Sequence, residues 1–313
     1  MPEISQGRIV KGVGGLYEIA IFDSDERVSC RAKGAFRHDD VKPYVGDTVA
    51  VGYDDAGNPI ISEINERKNS IIRPPLANLD MLFIVLPSKD PEVDLFTADK
   101  LIAIAEYNKI EPIIVISKSD LDFENAEKIR KIYEKSSFTT FVSSVNEDGD
   151  NVGANEILEF IKEHACDKIS AFAGASGAGK STLMNALFPS LKIETGDVSR
   201  KIGRGRHTTR HVELFPMKEI IGRGNGFFAD TPGFTMLDFV RFDFFDKEAL
   251  PSTFREFESY IGECRYTKCT HTKEQGCAII SALKAGEIAR SRHESYASLY
   301  DILKEKHAWD KKQ

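Results

Sequence analysis

A glycine-rich segment in the middle of the chain has the residue types and spacing of a phosphate-binding loop. It reads Gly174-Ala175-Ser176-Gly177-Ala178-Gly179-Lys180-Ser181 and fits the pattern G-x-x-x-x-G-K-[ST]. Glycines let consecutive N–H groups face the α- and β-phosphates of a nucleotide, Lys180 bridges the β- and γ-phosphates, and Ser181 offers its hydroxyl to Mg²⁺. We therefore predict nucleotide binding from Gly174 to Thr182. The alternative is a glycine-rich turn that matches by chance.

The segment Asp230-Thr231-Pro232-Gly233 follows a predicted strand further along the chain. An Asp at the end of a strand beside the loop is placed to hold Mg²⁺, usually through water, and the Gly233 N–H can contact the γ-phosphate. Taken alone, the four residues are equally compatible with a plain turn. Together with the loop they predict a magnesium nucleotide site.

A basic stretch, residues 199–211, lies between these two motifs and contains five Arg or Lys residues and no carboxylate. Thr208 or Thr209 can complete the Mg²⁺ ligands and tether the stretch to the γ-phosphate. Its positive charge also suits an RNA backbone. The alternative is a solvated basic loop without a partner.

Polar residues that can recognise a base follow two neighbouring predicted strands. Ser117-Lys118-Ser119-Asp120 comes after the first and Ser143-Ser144 after the second. Asp120 can accept two hydrogen bonds from guanine N1–H and N2–H₂, which adenine does not supply, and the stem of Lys118 can cover the purine face. Ser143 and Ser144 can close the base pocket with backbone N–H groups. The Lys-x-Asp pattern is common on protein surfaces, so it indicates a base-binding site only because the phosphate loop belongs to the same predicted sheet.

Three cysteines and a histidine crowd into fourteen residues near the end of the chain: Cys264, Cys269, His271 and Cys277. Three thiolates and one imidazole form a closed tetrahedral set, which predicts one structural zinc ion. The alternative is free buried cysteines.

The pattern of apolar residues indicates which elements position these groups. Five short strands come first, which predicts a small β-barrel, and the pattern alone fits an oligonucleotide-binding (OB) barrel and a generic β module with another partner equally well: Gly7–Val13, Leu16–Phe22, Val28–Ala32, Asp47–Val51 and Ile60–Ile64. Strands and helices then alternate, which predicts a parallel, doubly wound sheet: Leu79–Leu86, Val93–Tyr107, Pro112–Ile116, Glu124–Glu134, Thr139–Val142, Glu156–His164, Lys168–Phe172, Ser181–Leu187, Val212–Pro216 and Gly226–Ala229. Beyond these, Phe242–Tyr260 is expected to be mostly helical, and Ala278–His307 carries charge at helical intervals.

Composition limits the classes of protein that need to be considered. Of 313 residues, 41% are hydrophobic and 29% charged, and the net charge is −7, which is ordinary for a globular protein. The excess of acidic over basic residues argues against a protein that binds nucleic acid over most of its surface. We find no membrane span or secretory leader and expect a cytoplasmic protein that acts as a monomer and has no membrane partner.

The order of the motifs resembles that of the circularly permuted GTPases. GTPases generally place the phosphate loop first, whereas here Ser117–Asp120 and Ser143-Ser144 precede Gly174–Ser181, Thr208 or Thr209, and Asp230–Gly233. With a barrel before it and a Cys/His cluster after it, the whole chain resembles the ribosome small subunit-dependent GTPase A family. This implies an α/β fold with a permuted P-loop GTPase core (71–240), an N-terminal OB-like barrel for RNA (1–70) and a C-terminal zinc-binding helical domain (241–313).

The resemblance further implies binding of GTP and GDP, GTP hydrolysis coupled to late assembly of the small ribosomal subunit, and contacts with that subunit and its rRNA. Many GTPases have a Gln where this chain has Phe234, so intrinsic turnover should be slow until the subunit orders the site. His207 is a candidate for orienting the attacking water, with a merely basic surface role as the alternative. Ser117 replaces the usual Asn or Thr, so the affinity for nucleotide should be lower.

Two other functions compete with this interpretation. One is a P-loop ATPase or kinase, which would not discriminate guanine. The other is a zinc-dependent RNA-binding protein with a vestigial nucleotide site, against which the intact Lys180, Ser181 and Asp230 argue.

Overall fold

The structure is a computed structural model, and it describes residues 5–22, 24–33, 42–72, 74–146, 148, 150–191, 212–230 and 245–305. Its contacts divide the chain into two compact units. The first unit consists of Met1–Met81, Phe160–Phe172 and Asp197–Gly233, and the second of Leu82–Glu159, Ala173–Gly196 and Phe234–Gln313.

Fifteen strands and seven α-helices occur in the described residues. The strands are β1 (Ser5–Val13), β2 (Leu16–Ile21), β3 (Arg27–Ala32), β4 (Thr48–Tyr53), β5 (Pro59–Ile64), β6 (Ser70–Ile71), β7 (Leu76–Ala77), β8 (Met81–Pro87), β9 (Glu111–Ser117), β10 (Thr140–Val142), β11 (Ser144–Val145), β12 (Asn151–Val152), β13 (Ile169–Gly174), β14 (Glu213–Pro216) and β15 (Phe227–Asp230). The helices are α1 (Leu95–Tyr107), α2 (Phe123–Lys135), α3 (Ala154–His164), α4 (Lys180–Leu187), α5 (Met217–Ile221), α6 (Ala278–Lys284) and α7 (Arg290–Glu305).

The first five strands form a closed barrel in the first unit. They follow the order β1-β2-β3-β5-β4, and an additional pairing of β1 with β4 closes the sheet on itself. The β3–β5 pair is parallel, and the other pairs are antiparallel. Buried apolar residues from several strands fill the interior, including Ile9, Ile19, Val49 and Ile61. A small five-stranded barrel is the architecture that the alternating pattern predicts.

The remaining strands of the first unit continue from the barrel. β14 pairs antiparallel with β1 and with β15, and β15 pairs parallel with β13. Lys11 and Glu213 form an ion pair of 2.8 Å on this ladder. The sheet is therefore mixed, whereas alternation of strands and helices alone predicts a parallel one. The reason is that β14 runs antiparallel both to β15, the next strand along the chain, and to the barrel strand β1, which is distant in sequence.

The second unit holds strands β8, β9 and β10 together with the helices that follow them. All seven residues of β8 are buried, as expected for a strand covered on both faces. β9 and β10 are parallel, with Thr140 opposite Ile114. Asp94 and Asp122 cap α1 and α2 by accepting from the N–H groups of Thr97 and Asn125. The caps fix where each helix begins.

The C-terminal part of the second unit is helical, as expected, but not all of it is α-helix. Helices α6 and α7 lie within the predicted helical region, and the aromatic segment before them is mostly helical in its described residues. Its described residues form two short 3₁₀ helices, Leu250–Thr253 and Arg255–Tyr260. Pro251 stands at the start of the first, and the Phe254 and Phe257 rings are 5.3 Å apart at the i, i+3 spacing that a 3₁₀ helix aligns. None of the helices in the described ranges has both the length and the apolar character that a membrane span requires.

Candidate functional site

The phosphate-loop pattern lies where strand β13 ends and helix α4 begins. Gly174 has φ +142°, and a Cβ atom there would lie 2.3 Å from the carbonyl oxygen of Val85. Gly179 is the N-cap of α4 with φ +87°. Because side-chain-bearing residues rarely adopt these angles, glycine is required for the curled backbone. The loop therefore ends at a helix N-terminus, which favours an anion.

Lys180 is the first residue of α4, and its side chain folds over the loop. Its Nζ donates hydrogen bonds to the carbonyl oxygens of Gly174 at 2.8 Å and Ala175 at 2.7 Å. Burial lowers the pKa of Lys180. The ammonium group thus lies against the loop that the pattern predicts as a phosphate cradle, while Ser176 and Gly177 are exposed at its tip.

The base-recognition motif begins with a direct contact to this loop. Ser117 is the last residue of β9 and is 4% exposed. Its Oγ donates a hydrogen bond of 2.6 Å to the carbonyl oxygen of Ala178. Two motifs that are separated by some sixty residues in sequence therefore meet in the second unit.

The rest of the motif forms a compact loop at the ends of β9 and β10. The Ser119 N–H donates to the Ser143 carbonyl oxygen at 3.2 Å, and the Ser143 N–H donates to Ile116 at 2.7 Å. Asp120 is exposed, and its Oδ1 accepts from the N–H of Val145 at 3.3 Å. The structure thus brings Ser117–Asp120 and Ser143-Ser144 together and leaves the Asp120 carboxylate open to a ligand.

Lys118 takes an uncommon backbone conformation in this loop. Its φ is +58°, in the left-handed region, and its Nζ donates to the carbonyl oxygen of Asp90. Ser88 and Asp90, which follow β8, were not among the predicted site residues. The signal that points to them is positional, because ligands in open α/β sheets bind outside the carboxyl ends of the strands.

Asp230 is described in the first unit, at the end of β15. It lies opposite Glu213 on the antiparallel ladder. Burial and the charge of Glu213 raise the pKa of Asp230. Carboxylate and hydroxyl oxygens are the ligands that Mg²⁺ prefers, so the chemistry of Asp230 and of the predicted ligand Ser181 fits that ion. The other predicted residues of this group lie outside the described residues: His207, Thr208, Thr209 and Gly233.

The Cys/His cluster has the dimensions of a zinc site. The ligand atoms of Cys264, Cys269, His271 and Cys277 all lie within 4.8 Å of one another. The Sγ atoms of Cys264 and Cys277 are 3.8 Å apart, and each is 3.5 Å from Nδ1 of His271. A tetrahedral zinc with bonds of about 2.3 Å to sulfur and about 2.0 Å to nitrogen requires sulfurs about 3.8 Å apart and about 3.5 Å from the nitrogen. The four residues therefore fit a single metal ion.

The backbone around the cluster is held by neighbouring side chains. Glu274 accepts hydrogen bonds from the N–H groups of Thr270 and Thr272, at 2.8 and 3.1 Å. On α7, His293 Nε2 lies 2.8 Å from the carbonyl oxygen of His271, and the Tyr296 hydroxyl donates to that of Thr270 at 2.8 Å. Such support around the ligands orients them for the metal.

The chain is similar to two protein families and to named relatives over nearly its whole length. Residues 64–240 match the family described as RsgA GTPase, and residues 6–61 match the family described as RsgA N-terminal domain. A relative from Caldanaerobacter subterraneus subsp. tengcongensis is 40% identical over 304 residues, which cover 96% of each chain. A relative from Halalkalibacterium halodurans is 38% identical over 306 residues, which cover 96% of this chain and 98% of the relative. Both relatives are named small ribosomal subunit biogenesis GTPase RsgA.

Two solved structures are similar over almost the whole length. YloQ, described as a circularly permuted GTPase, aligns with a TM-score of 0.75 and 30% identity over 98% of this chain and 97% of its own. YjeQ from Thermotoga maritima aligns with a TM-score of 0.75 and 29% identity over 97% of this chain and 100% of its own.

Proposed function

This chain belongs to the RsgA GTPase family, and from that premise we propose that it hydrolyses GTP to GDP and phosphate in the assembly of the small ribosomal subunit. Membership confirms the family resemblance that the motif order indicated, and the circularly permuted GTPase fold is confirmed with it. Both relatives named above are biogenesis GTPases of that subunit, which supports the same role for this chain.

The hydrogen bond from Ser117 to Ala178 is the observation that carries the proposal. It fixes the end of the base-recognition strand to the loop that would hold phosphates, so one nucleotide can contact both. A vestigial site would have no need to keep a buried serine on the loop carbonyl, an exposed Asp120 and a lysine folded over the loop. The presence of these three features together therefore favours a functional nucleotide site.

The base would be recognised through the exposed carboxylate of Asp120. Its oxygens would accept from guanine N1–H and N2–H₂, and adenine has no matching donors at these positions. Lys118 would cover the purine face with its aliphatic stem. Backbone N–H groups of Ser143 and Ser144 would close the pocket around the base.

The phosphates would be held by the loop and by the cation of Lys180. On nucleotide binding, the Lys180 ammonium would exchange the carbonyl oxygens of Gly174 and Ala175 for β- and γ-phosphate oxygens. Oxygen ligands for magnesium would come from Ser181, Asp230 and one of the two threonines, Thr208 or Thr209. When bound, magnesium supplies positive charge that offsets the charge of the phosphates.

Catalysis would depend on residues of the two segments that follow the phosphate loop. The Gly233 N–H would contact the γ-phosphate, and His207 would orient or deprotonate the attacking water. Phe234 has no group that can do so, which is why we expect a low rate for the free protein and stimulation by the small subunit.

The organisation of the chain follows from the same proposal. We assign residues 1–70 to an OB-like barrel that contacts rRNA, 71–240 to the GTPase domain and 241–313 to a helical domain. The cluster of three cysteines and His271 would hold one structural zinc ion, which leaves no ligand position for catalysis. A cytoplasmic monomer that exchanges GTP and GDP on the subunit is the simplest form of this function.

Turnover of GTP with and without purified small ribosomal subunits tests the proposal. The full-length protein should release phosphate slowly alone and faster by about tenfold or more with small subunits, while large subunits have no effect. Lys180→Ala serves as the control and should be inactive in both conditions. Equal turnover of ATP, or no response to the small subunit, would contradict the proposal.

A further inference from the structure

Ser88, the first residue after β8, uses all of its polar groups on the base-recognition loop and the helix behind it. Its N–H donates to the Ser117 carbonyl oxygen at 2.8 Å, and its Oγ donates to the Lys118 carbonyl oxygen at 2.6 Å. Its own carbonyl oxygen accepts from Nδ2 of Asn125 on α2 at 2.7 Å. The residue is 2% exposed, so its own polar groups are shielded from water.

The bond from the Ser88 hydroxyl bears on a strained part of the backbone. Lys118 has φ +58°, a conformation that a residue with a side chain adopts only when its surroundings hold it. Both ends of Lys118 are held: the carbonyl oxygen by Ser88 and the ammonium group by the carbonyl oxygen of Asp90. Asp120 follows two residues later, so the conformation of Lys118 determines where its carboxylate lies.

The same segment also contacts the phosphate loop. The position that a Cβ atom would occupy on Gly177 lies 3.5 Å from Cδ of Pro91. The segment Ser88–Pro91 therefore contacts the base-recognition loop at one end and lies beside the phosphate loop at the other. Ser88, at the buried end of this segment, can therefore influence the contacts that the protein makes with both the base and the phosphates of a nucleotide.

We propose that Ser88 is a positioning residue for guanine recognition: its hydroxyl holds the Lys118 peptide in the left-handed conformation and thereby aims the Asp120 carboxylate at the base. This inference rests on the proposed guanine site. Ser88 acts through Lys118 and Asp120 and does not itself touch the nucleotide. Without the hydroxyl, the Lys118 backbone can relax to an ordinary conformation, and Asp120 turns away from the base.

Affinities for GDP and for inosine diphosphate measure this role in the full-length protein. Inosine lacks the 2-amino group of guanine, so the ratio of the two affinities reports how well Asp120 meets that group. We expect Ser88→Ala to bind GDP about tenfold more weakly, with the GDP preference lowered toward unity. Ser88→Thr keeps the hydroxyl and should retain the preference.

Two further variants separate positioning from a general loss of stability. Ser136→Ala also deletes a buried serine hydroxyl, one that contacts Ile132 on α2, and it should leave the preference unchanged. Asn125→Ala removes only the support of the Ser88 carbonyl and should lower the preference less than Ser88→Ala does. It also provides the test if Ser88→Ala does not fold.

Each outcome has a defined meaning. An unchanged GDP preference in Ser88→Ala, or in Asn125→Ala if the former does not fold, overturns the inference while the proposed function stands. An equal loss of preference in Ser136→Ala also overturns it. Failure of the unaltered protein to prefer GDP over inosine diphosphate refutes the guanine site itself and the inference with it.

Discussion

Arg292 on α7 is a fully buried cation whose removal has a predictable cost. It is 0% exposed and contacts two carboxylates, Asp99 of α1 at 2.6 Å and Glu256 at 2.7 and 3.2 Å. The side chains of Asp99 and Glu256 are 1% and 4% exposed. The guanidinium also lies 4.5 Å from the ring centroid of Phe254. Arg292 therefore ties the helix that supports the metal cluster to a helix that follows β8.

Arg292→Met keeps most of the side-chain volume but leaves two carboxylates buried without a cation. Breaking a buried ion pair from one side costs about 3–5 kcal/mol, and in the described part of the chain Arg292 is the basic residue that pairs with both carboxylates. We expect a loss in the free energy of unfolding within that range at neutral pH. Denaturation by urea, followed by circular dichroism, measures it.

The loss should depend on pH in a defined direction. Burial raises the pKa of Asp99, and the charge of Arg292 opposes this, so the variant should have a still higher pKa at Asp99. A carboxyl whose folded pKa lies above its unfolded value destabilises the fold when it is ionised. The deficit should be largest near pH 7.5 and shrink as the pH falls through the raised pKa toward about 4, the unfolded value.

Two comparisons separate this effect from simple loss of packing. Arg290→Met changes an exposed arginine of the same helix and should alter stability by less than about 0.5 kcal/mol. Combining Arg292→Met with Asp99→Asn and Glu256→Gln removes the uncompensated charge and should restore most of the stability. A cost below about 1 kcal/mol for Arg292→Met, or a deficit that grows on acidification, would refute the reasoning.

Three further outcomes follow from the sites. The unaltered protein should hold one equivalent of zinc by elemental analysis, and Cys277→Ser should lose the metal and unfold at a lower temperature; retained zinc would contradict the assignment. Ser117→Ala leaves the buried Ala178 carbonyl without its donor, so GDP affinity should fall about tenfold in a binding titration, and an unchanged affinity would show that the tether is dispensable. Gly174→Ala would place a Cβ atom 2.3 Å from a backbone oxygen and should abolish GDP binding. Gly286 also has a positive φ but has open space around it, so the control variant Gly286→Ala should bind GDP normally. Comparable GDP affinity in the two variants would contradict the proposed geometry of the phosphate loop.

Features that depend on nearby residues could be predicted from the sequence. The phosphate loop is one, because the need for glycine at Gly174 and Gly179 is local. The metal cluster is another, since its ligands lie within fourteen residues. The strands of the barrel and the helices α1 and α2 lie within two residues of their predicted bounds, because alternating or helical apolar spacing marks them.

Features that depend on distant pairing could not be predicted. Arg292 lies in a segment whose sequence signal is only charge at helical intervals, yet its partners Asp99 and Glu256 make it a core residue. The pairing of β14 with β1 joins residues some two hundred positions apart. Ser88 belongs to no recognisable motif, and its importance becomes visible only when three hydrogen-bond partners from two other segments converge on it.

Nucleotide preference of the Asp120→Asn variant tests the central claim most directly, because that claim assigns guanine recognition to this one carboxylate. Asparagine presents a donor where Asp120 presents only acceptors, so it matches xanthine, which carries an oxygen in place of the 2-amino group. The account predicts that the unaltered protein prefers GTP over xanthosine triphosphate by about a hundredfold or more and that Asp120→Asn inverts the order. If the variant keeps its preference for GTP, the base is not read by Asp120 and the account is wrong.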